Sequence, residues 1–501
     1  MSRFLRKHLI NKTFIYFIVF ILKAIVVPES SWSYLTAPEI GTGWDHSFVR
    51  KSDGTLWAWG FNSAGQLGDG TSVNRYSPVQ VGADSNWDFV SGGYGWTVAL
   101  KSDGTLWAWG RNGQGQLGDG TTVRRFSPVQ IGTDNTWVSV KAGNAANLAL
   151  KSDGTLWAWG HNGGGQLGYI PTETCPTPSG GQPCSTSPRQ VGTDTDWVSI
   201  VAGGYYSAAL KSNGTLWTWG SGDDGQLGLG DRTNRYSPEQ VGTDTDWISI
   251  TAGEYHTLAL KANGTLWAFG NNWYGQLGVT STETCGSPDN PCSTVPVQVG
   301  VDSDWAVLAA SGFTTLALKS DGTLWGWGRN SAGQFGDGTN INSSFPVQTG
   351  TETDWLTVSG GGNHTLALKT DGTLWVWGID DYGQLGFATT ETCTTPYVTF
   401  YCSKSPVQLL DAGCIYQIRI AGVSPLYYFS LQTAYDTAMG GAVIQTLDAV
   451  FSENLDINRN ITATIEGGYD CDFSNDTENT IINGNIMISG GSVTIKNVIL
   501  E

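Results

Sequence analysis

The sequence predicts an all-β chain: a seven-bladed β-propeller of four-stranded antiparallel blades, followed by a small β-rich C-terminal region. Three observations carry this reading. The phrase Lys-Ser-Asp-Gly-Thr-Leu-Trp-Ala-Trp-Gly recurs seven times with small changes, placing its first tryptophan at Trp57, Trp107, Trp157, Trp217, Trp267, Trp325 and Trp375, at intervals of 50, 50, 60, 50, 58 and 50 residues. A fixed period of this size marks a stacked or circular repeat. Within each period, short runs of strand-forming residues are separated by Gly-, Asp- and Asn-containing turn signals. With 68 glycines and 17 prolines among 501 residues, the composition suits many short strands joined by tight turns.

Residues 1–33 stand outside the array. Arg3, Arg6, Lys7 and Lys12 precede an apolar run from Phe14 to Leu22, and the small-residue triplet Ser31-Trp32-Ser33 follows. This order reads as a secretory signal peptide. Ala24 to Val27 extend the run past Lys23, so an uncleaved signal anchor is the other reading. Either one exports the repeats to a secreted, periplasmic or cell-surface location. Cleavage removes five Lys/Arg and one Glu, taking the formal charge from −18 to −22. A surface this acidic repels phosphate backbones and anionic lipid, so neither nucleic acid nor a membrane beyond the export segment is an expected partner.

Residues 34–422 are assigned to the propeller. In the second repeat, Trp87 to Ser91, Thr97 to Lys101, Thr105 to Trp109 and Ser127 to Ile131 are four strand candidates. Asp103-Gly104 between the second and third runs predicts a two-residue hairpin turn, which would make those strands antiparallel neighbours. Trp57 and Trp59 share one face of the third strand and Leu56 and Ala58 the other, so the bulky face of one blade can fill against the small face of its neighbour. Nineteen of 23 tryptophans fall in first- or third-strand slots and read as packing. Trp44, Trp96 and Trp273 are left as candidates for a sugar platform. The first repeat has Ala37-Pro38-Glu39-Ile40 where the others open on Trp, and Tyr416-Gln-Ile-Arg-Ile-Ala-Gly422 resembles Trp197 to Gly203. The expectation is that residues 416–422 supply the missing strand and clasp the ring.

Cysteine usage agrees with export. Cys175 with Cys184, Cys285 with Cys292, and Cys393 with Cys402 each follow a Thr-Glu-Thr phrase and read as three local disulfides. Zinc-type spacing and histidine partners are missing from these pairs, so no metal and no cofactor is expected. Cys414 and Cys471 either pair with each other or stay free.

Ala252 to Leu260, Leu266-Trp-Ala-Phe-Gly270 and Gly275-Gln-Leu-Gly278, repeated in phase over about residues 40–422, resemble the repeat of the regulator of chromosome condensation superfamily. The resemblance implies a seven-bladed propeller. Its eukaryotic namesake promotes nucleotide exchange on a small nuclear GTPase, and a bacterial secreted relative inhibits β-lactamases through one propeller face. An exported, acidic, disulfide-bearing chain fits the second setting, although a fold alone decides neither.

Residues 423–501 form the tail. A short helix is expected within Tyr427 to Ala438, then β-runs at Ala442 to Val450, Ile461 to Glu466, Thr480 to Ser489 and Val493 to Leu500, resembling the opening coils of a parallel β-helix.

In an antiparallel blade the loop joining strands one and two and the loop joining strands three and four emerge on the same face. Across the repeats that face varies, while the Asp-Gly face is nearly constant. The variable loops offer Tyr94, Trp96, Asn144, Tyr205, Tyr206, Glu254, Tyr255, Phe313 and Asn363, and then Trp273, Tyr274, Asp380 and Tyr382. Aromatics and carboxylates beside disulfide-closed insertions suit a protein-binding surface. The expected function is a monomeric, non-enzymatic protein binder that inhibits or scaffolds a secreted or envelope partner. A carbohydrate-binding or envelope structural protein is the alternative. A polysaccharide-acting enzyme using Asp456, Glu466, Asp470 and Asp472, or a nucleotide exchange factor, is more remote. His46, His256 and His364 share one slot in distant repeats and read as structural. The pairs Asp194/Asp196 and Asp244/Asp246 read as solvated turn residues.

Overall fold

The computed structural model describes residues 39–501 apart from 178–179, 282, 286–289, 396–397, 410–417, 422–425, 429–430, 448–449, 452–454, 459–460, 470–479, 483–485, 489–491, 497 and 501. The segment 1–33, Cys414, Cys471, Asp470 and Asp472 therefore lie outside the described residues.

Blades 1, 2, 4 and 6 fold as four-stranded antiparallel meanders, and blades 3, 5 and 7 have the same four strands with a further short strand from the disulfide hairpin paired outside the last. In blade 2 the strands are Trp87–Gly92, Trp96–Lys101, Leu106–Gly110 and Arg125–Gln130, paired in that order. The turn between the second and third strands differs from the expected two-residue hairpin. In blade 1, Gly54 N donates to Lys51 O at 3.0 Å and Lys51 N to Thr55 O at 2.9 Å, which is a three-residue turn closed by a glycine bulge. Only Gly54 has to take the left-handed conformation, at φ 77°. Asp53 is chosen for its carboxylate, which accepts from Thr55 N at 2.8 Å and Thr55 Oγ1 at 2.6 Å.

Around the ring, the first strand of each blade lies against the first strand of the next, and Glu39–Thr42 of blade 1 lies against Trp355–Gly360 of blade 7. The expected clasp is overturned. Glu39–Thr42 pairs with His46–Arg50 and completes blade 1 from its own repeat. Ile418–Ile420 instead pairs with Leu426–Tyr428 and Ala442–Leu447 in the tail. The slot needs backbone pairing and one apolar side chain, and Ile40 supplies that without a tryptophan.

The core is a set of inter-blade layers. Phe48, Leu56, Ala58, Leu67 and Val81 of blade 1 pack on Trp87, Val90, Ala99 and Trp109 of blade 2. The same arrangement joins blades 7 and 1, where Leu366, Leu368, Val376, Leu385 and Leu409 meet Val49 and Trp59. The Gly-Gln-Leu-Gly phrase is the polar half of this joint. Gln66 O accepts from Trp109 Nε1 at 2.9 Å and Thr97 Oγ1 at 2.8 Å of the next blade. A Cβ on Gly68 would stand 2.7 Å from that indole nitrogen, so only glycine lets the ring in.

On the Asp-Gly face the carboxylates are paired, not merely solvated. Lys211 Nζ bonds Asp194 at 2.6 Å and Asp196 at 3.1 Å, and Lys261 repeats this with Asp244 at 2.7 Å and Asp246 at 3.1 Å. Each lysine also covers two tryptophans, as Lys101 does Trp107 and Trp87 at 4.0 and 4.9 Å. The strand that pairs outside the third strand carries a proline in every blade, Pro78 in blade 1, within a register shift where no ladder donor is required. A proline there also blunts the exposed edge against pairing with another sheet.

The tail is β-rich with parallel pairing. Ala442–Leu447, Thr462–Tyr469 and Ser492–Lys496 form one parallel ladder, and Val450–Phe451, Thr480–Ile482 and Val498–Leu500 a second. Leu455–Ile457 and Ile486–Ile488 form a third. The short helix expected within Tyr427 to Ala438 is Leu431–Thr437, and it buries Leu431, Ala434 and Tyr435 against Ile444, Leu455 and Ile465.

Candidate interaction face

The loops joining strands one to two and three to four do share a face. Phe61 N of the second loop donates to Asp45 O of the first at 2.8 Å, and Arg111 N to Gly95 O at 2.9 Å. The disulfides Cys175–Cys184, Cys285–Cys292 and Cys393–Cys402 all close, with Cα atoms 5.7–5.8 Å apart. The glutamate of the Thr-Glu-Thr-Cys phrase braces each hairpin. Glu173 accepts from Thr186 N at 2.9 Å and Oγ1 at 2.8 Å, and Glu283 from Thr294 at 2.8 Å through both atoms. Glu391 accepts from Lys404 N at 3.2 Å.

Three of the residues predicted to be on this face are not surface groups. Trp96 and Tyr206 are each 1% exposed. They open the second strand, in the slot that His46, His256 and His364 occupy in other blades, and pair with Gly110 and Gly220. Trp96 Nε1 donates to Asn147 Oδ1 at 2.8 Å, so its polar atom is satisfied inside an inter-blade joint. Asp380 is also buried. It takes the place that Asn62 and Asn112 hold in blades 1 and 2, accepting from Leu385 N at 3.0 Å, and burial raises its pKa to about 6.

The three histidines are structural. His46 Nε2 meets Thr97 Oγ1 at 3.2 Å, His256 Nε2 meets Thr315 Oγ1 at 3.0 Å and His364 Nε2 meets Ser47 Oγ at 2.9 Å, each across a blade boundary. Those hydroxyls donate onward to the carbonyls of Gln66, Gln276 and Gln384. The imidazoles must therefore donate from Nε2, leaving Nδ1 buried with no hydrogen-bond partner among the described residues. Burial pushes all three pKa values down to about 3. Among the described residues no group of three or more His, Cys, Asp or Glu is arranged to hold a metal ion.

The remaining predicted residues form aromatic sectors. Tyr255 stacks on Phe313 at 5.5 Å, Tyr274 meets the Phe313 edge at 5.2 Å, and Trp273 stacks beside Tyr274 at 6.3 Å. Blades 5 and 6 thus build a continuous string of four rings, ending on Trp273 at 59% exposure. Arg329 sits over Tyr274 at 5.7 Å. Across the ring, Tyr382 meets Phe61 at 4.7 Å and Tyr94 meets Trp44 at 5.2 Å. Phe61 and Trp44 extend the aromatic set, and both come from the repeat with the shortest first strand. Tyr205, exposed, lies 6.1 Å from the His161 ring. Asn144 and Asn363 are half-buried between blades. Asn144 N donates to Gly203 O at 3.1 Å, and Asn363 Oδ1 accepts from Gln334 at 3.3 Å.

Some carboxylates on this face are desolvated. Burial raises the pKa of Glu254 and Asp224, and takes Asp45 to about 6.

A family profile for the RCC1-like domain matches residues 132–427, more than half of the sequence, and profiles for the regulator of chromosome condensation (RCC1) repeat match 53–100 and 103–150, with a second at 39–66 and 87–116. The chain belongs to the RCC1-like family. The ultraviolet-B receptor UVR8 of Arabidopsis thaliana is 40% identical over 58 residues, a stretch that is 12% of this RCC1-like chain and only 13% of the receptor. Human WBSCR16 has the same fold at a TM-score of 0.60 and 22% identity, over 73% of this chain and 96% of that one. Saccharomyces cerevisiae Prp20p, whose structure is described together with its binding properties to Gsp1p and histones, gives 0.60 at 20% identity over 81% and 90%. At these identities the likeness establishes the propeller. The RCC1-like propeller is a protein-interaction fold, and yeast RCC1 has been solved with Kap60 bound.

Proposed function

We propose that this chain is an exported, non-enzymatic RCC1-like propeller that binds a protein partner through its variable face, inhibiting or scaffolding a secreted or envelope protein. The observation that carries the reading is the ring string Tyr255–Phe313–Tyr274–Trp273, presented on a rigid seven-bladed scaffold with Tyr205, Tyr94 and Tyr382 exposed on the same face. Exposed aromatic clusters of this kind are the usual anchors of protein interfaces. Three closed disulfides support an oxidising compartment, since such bonds are rare where thiols are kept reduced. The relatives that bind proteins lend the reading further support.

A sugar-binding reading has one observation in its favour, the stacked and exposed Trp273–Tyr274 pair. Arg329 over Tyr274 and Glu254 beside Tyr255 put charges of both signs along the ring string, which favours protein. The test is recovery of a partner from the native host by the tagged mature protein, compared with a chain carrying Tyr205→Ser, Tyr255→Ser and Trp273→Ser. Loss of the partner with unchanged folding supports the assigned face. Equal recovery by both proteins removes it.

A further inference from the structure

Several loop carboxylates on each face of the ring are held by cations. On the Asp-Gly face, aspartates of the loops before the first strands meet a lysine: Asp84 meets Lys101, Asp134 meets Lys151, Asp302 and Asp304 meet Lys319. On the variable face, Glu254, Asp223 and Asp224 form no ion pair among the described residues. Their hydrogen bonds go to neutral groups: Asp223 accepts from Ser221 at 3.2 Å and Asp224 from Asn271 at 2.9 Å, while Glu254 bonds Tyr255. Elsewhere in the loops of this face Asp69 meets Arg75, Asp119 meets Arg125 and Asp231 meets Arg235, so Glu254, Asp223 and Asp224 are set apart by their position and not by the face as a whole.

Arg329 shows what the rings accept. It lies over Tyr274 and acts electrostatically on Glu254. At the far end of the same sector, Gly204 N, beside Tyr205, donates to Glu254 O at 3.1 Å, and Asn271 donates to Tyr255 O at 2.8 Å and to Asp224 at 2.9 Å, which gathers Tyr205, Glu254, Tyr255 and Asp224 into one corner. Aromatic faces beside carboxylates that burial has desolvated and that form no ion pair make the environment in which an ammonium or guanidinium is best held, by ring quadrupole and charge together.

Resting on the protein-binding reading above, we propose that the corner formed by Tyr205, Glu254, Tyr255 and Asp224 receives a lysine or arginine side chain of the protein partner, while Phe313, Tyr274 and Trp273 take the apolar residues beside it. The occupant is a protein segment with a basic residue flanked by aromatic or aliphatic ones. Raised carboxylate pKa values at Glu254 and Asp224 agree with it, since an arriving cation favours the charged form that burial disfavours.

The test uses the mature chain and a displayed library of random short peptides. Selected peptides are synthesised and titrated, along with copies whose Lys or Arg is replaced by norleucine. The expected result is enrichment in Lys or Arg, a loss of about tenfold in affinity on norleucine replacement, and a similar loss with Glu254→Gln plus Asp224→Asn. Because Asp224 also holds Asn271, Glu254→Gln alone serves as the second variant, and unfolding midpoints check that both proteins fold. Added salt should weaken binding of the basic peptides to the wild type and have less effect with the double variant.

Peptides without Lys or Arg, lost on Tyr205→Ser plus Trp273→Ser but indifferent to Glu254→Gln, overturn the cation inference and leave the protein-binding face standing. Peptides indifferent to all of these substitutions, or quenching of Trp273 by oligosaccharides with no peptide bound, overturn both.

Discussion

Trp59 donates its indole nitrogen to the carbonyl of Gln384, 325 positions later, at 2.8 Å. The bond is the same one that Trp109 makes to Gln66 and Trp377 to Gln334 between sequence neighbours. The seam between the last blade and the first is therefore an ordinary blade interface. Ser47 adds a second bond to the Gln384 carbonyl at 2.9 Å, and Gly362 N reaches Trp44 O at 2.8 Å.

A ring closed this way does not need its tail. A chain ending at Leu409, the last residue of the seam cluster, is expected to unfold cooperatively in denaturant with the propeller's β-sheet circular dichroism intact. A non-cooperative, molten chain would show that the tail is part of the closure after all.

The indole bond can be weighed separately from the packing. Phe269 fills the same buried slot in blade 5 without a donor, so Trp109→Phe should fold and lose about 1–2 kcal/mol for the unmade bond to Gln66. Trp109→Ala should lose about 3–5 kcal/mol because a cavity is added. Urea unfolding of the two variants measures both, and equal losses would contradict the division.

Acid should loosen the ring. His46, His256 and His364 have folded pKa values near 3 against 6.5 for the free side chain. Their neutral forms leave stability untouched above pH 6.5, and below it the unfolded chain gains protons that the folded one refuses. The loss grows between 6.5 and about 3, reaching about 2 kcal/mol per histidine near pH 5. Asp45 and Asp380, raised to about 6, act in the opposite sense, since their buried charge is relieved as pH falls from about 6. Blade 6 carries Thr314 in the histidine slot, so His256→Thr should flatten the fall in denaturation midpoint between neutral and acid pH. An unchanged slope would mean the histidines are not its source.

The hairpins should respond to reductant locally. Each disulfide closes only 7 to 9 residues of chain, outside the inter-blade layers. Reduction is expected to open 173–190, 283–298 and 392–408 to proteolysis first, read by mass spectrometry, while the Trp layers keep their near-ultraviolet dichroism. Loss of that signal on reduction alone would place the disulfides in the core's stability.

Much of this was legible in the repeat, because period and alternation report directly on strands that pack the same way seven times. The Trp59 slot, the shared loop face and the three disulfides were all readable there, whereas the lysines that pair the turn aspartates were not. Trp96 and Tyr206 were misread because they adjoin variable loops. Counting 50 residues from His46 and His256 puts each in the histidine slot, and that signal was sufficient. The clasp was misread because Tyr416 to Ile420 carries a strand pattern that fits two sheets equally well, and only pairing distinguishes them. The unpaired carboxylates of the variable face had no sequence signature, since Asp194 and Asp224 look alike until Lys211 is seen beside the first. The role of the Gln66 carbonyl was likewise hidden, because it is the backbone that makes the bond.

The central claim is that the partner docks on the loops carrying Tyr205, Tyr255, Trp273 and Phe313. Hydrogen–deuterium exchange of the chain with and without its purified partner tests it most directly. Protection is expected at residues 203–206, 253–256, 271–276 and 312–314, with the Asp-Gly turns at 103–104, 153–154 and 321–322 unchanged. Protection confined to those turns, or to the tail beyond residue 426, would contradict it.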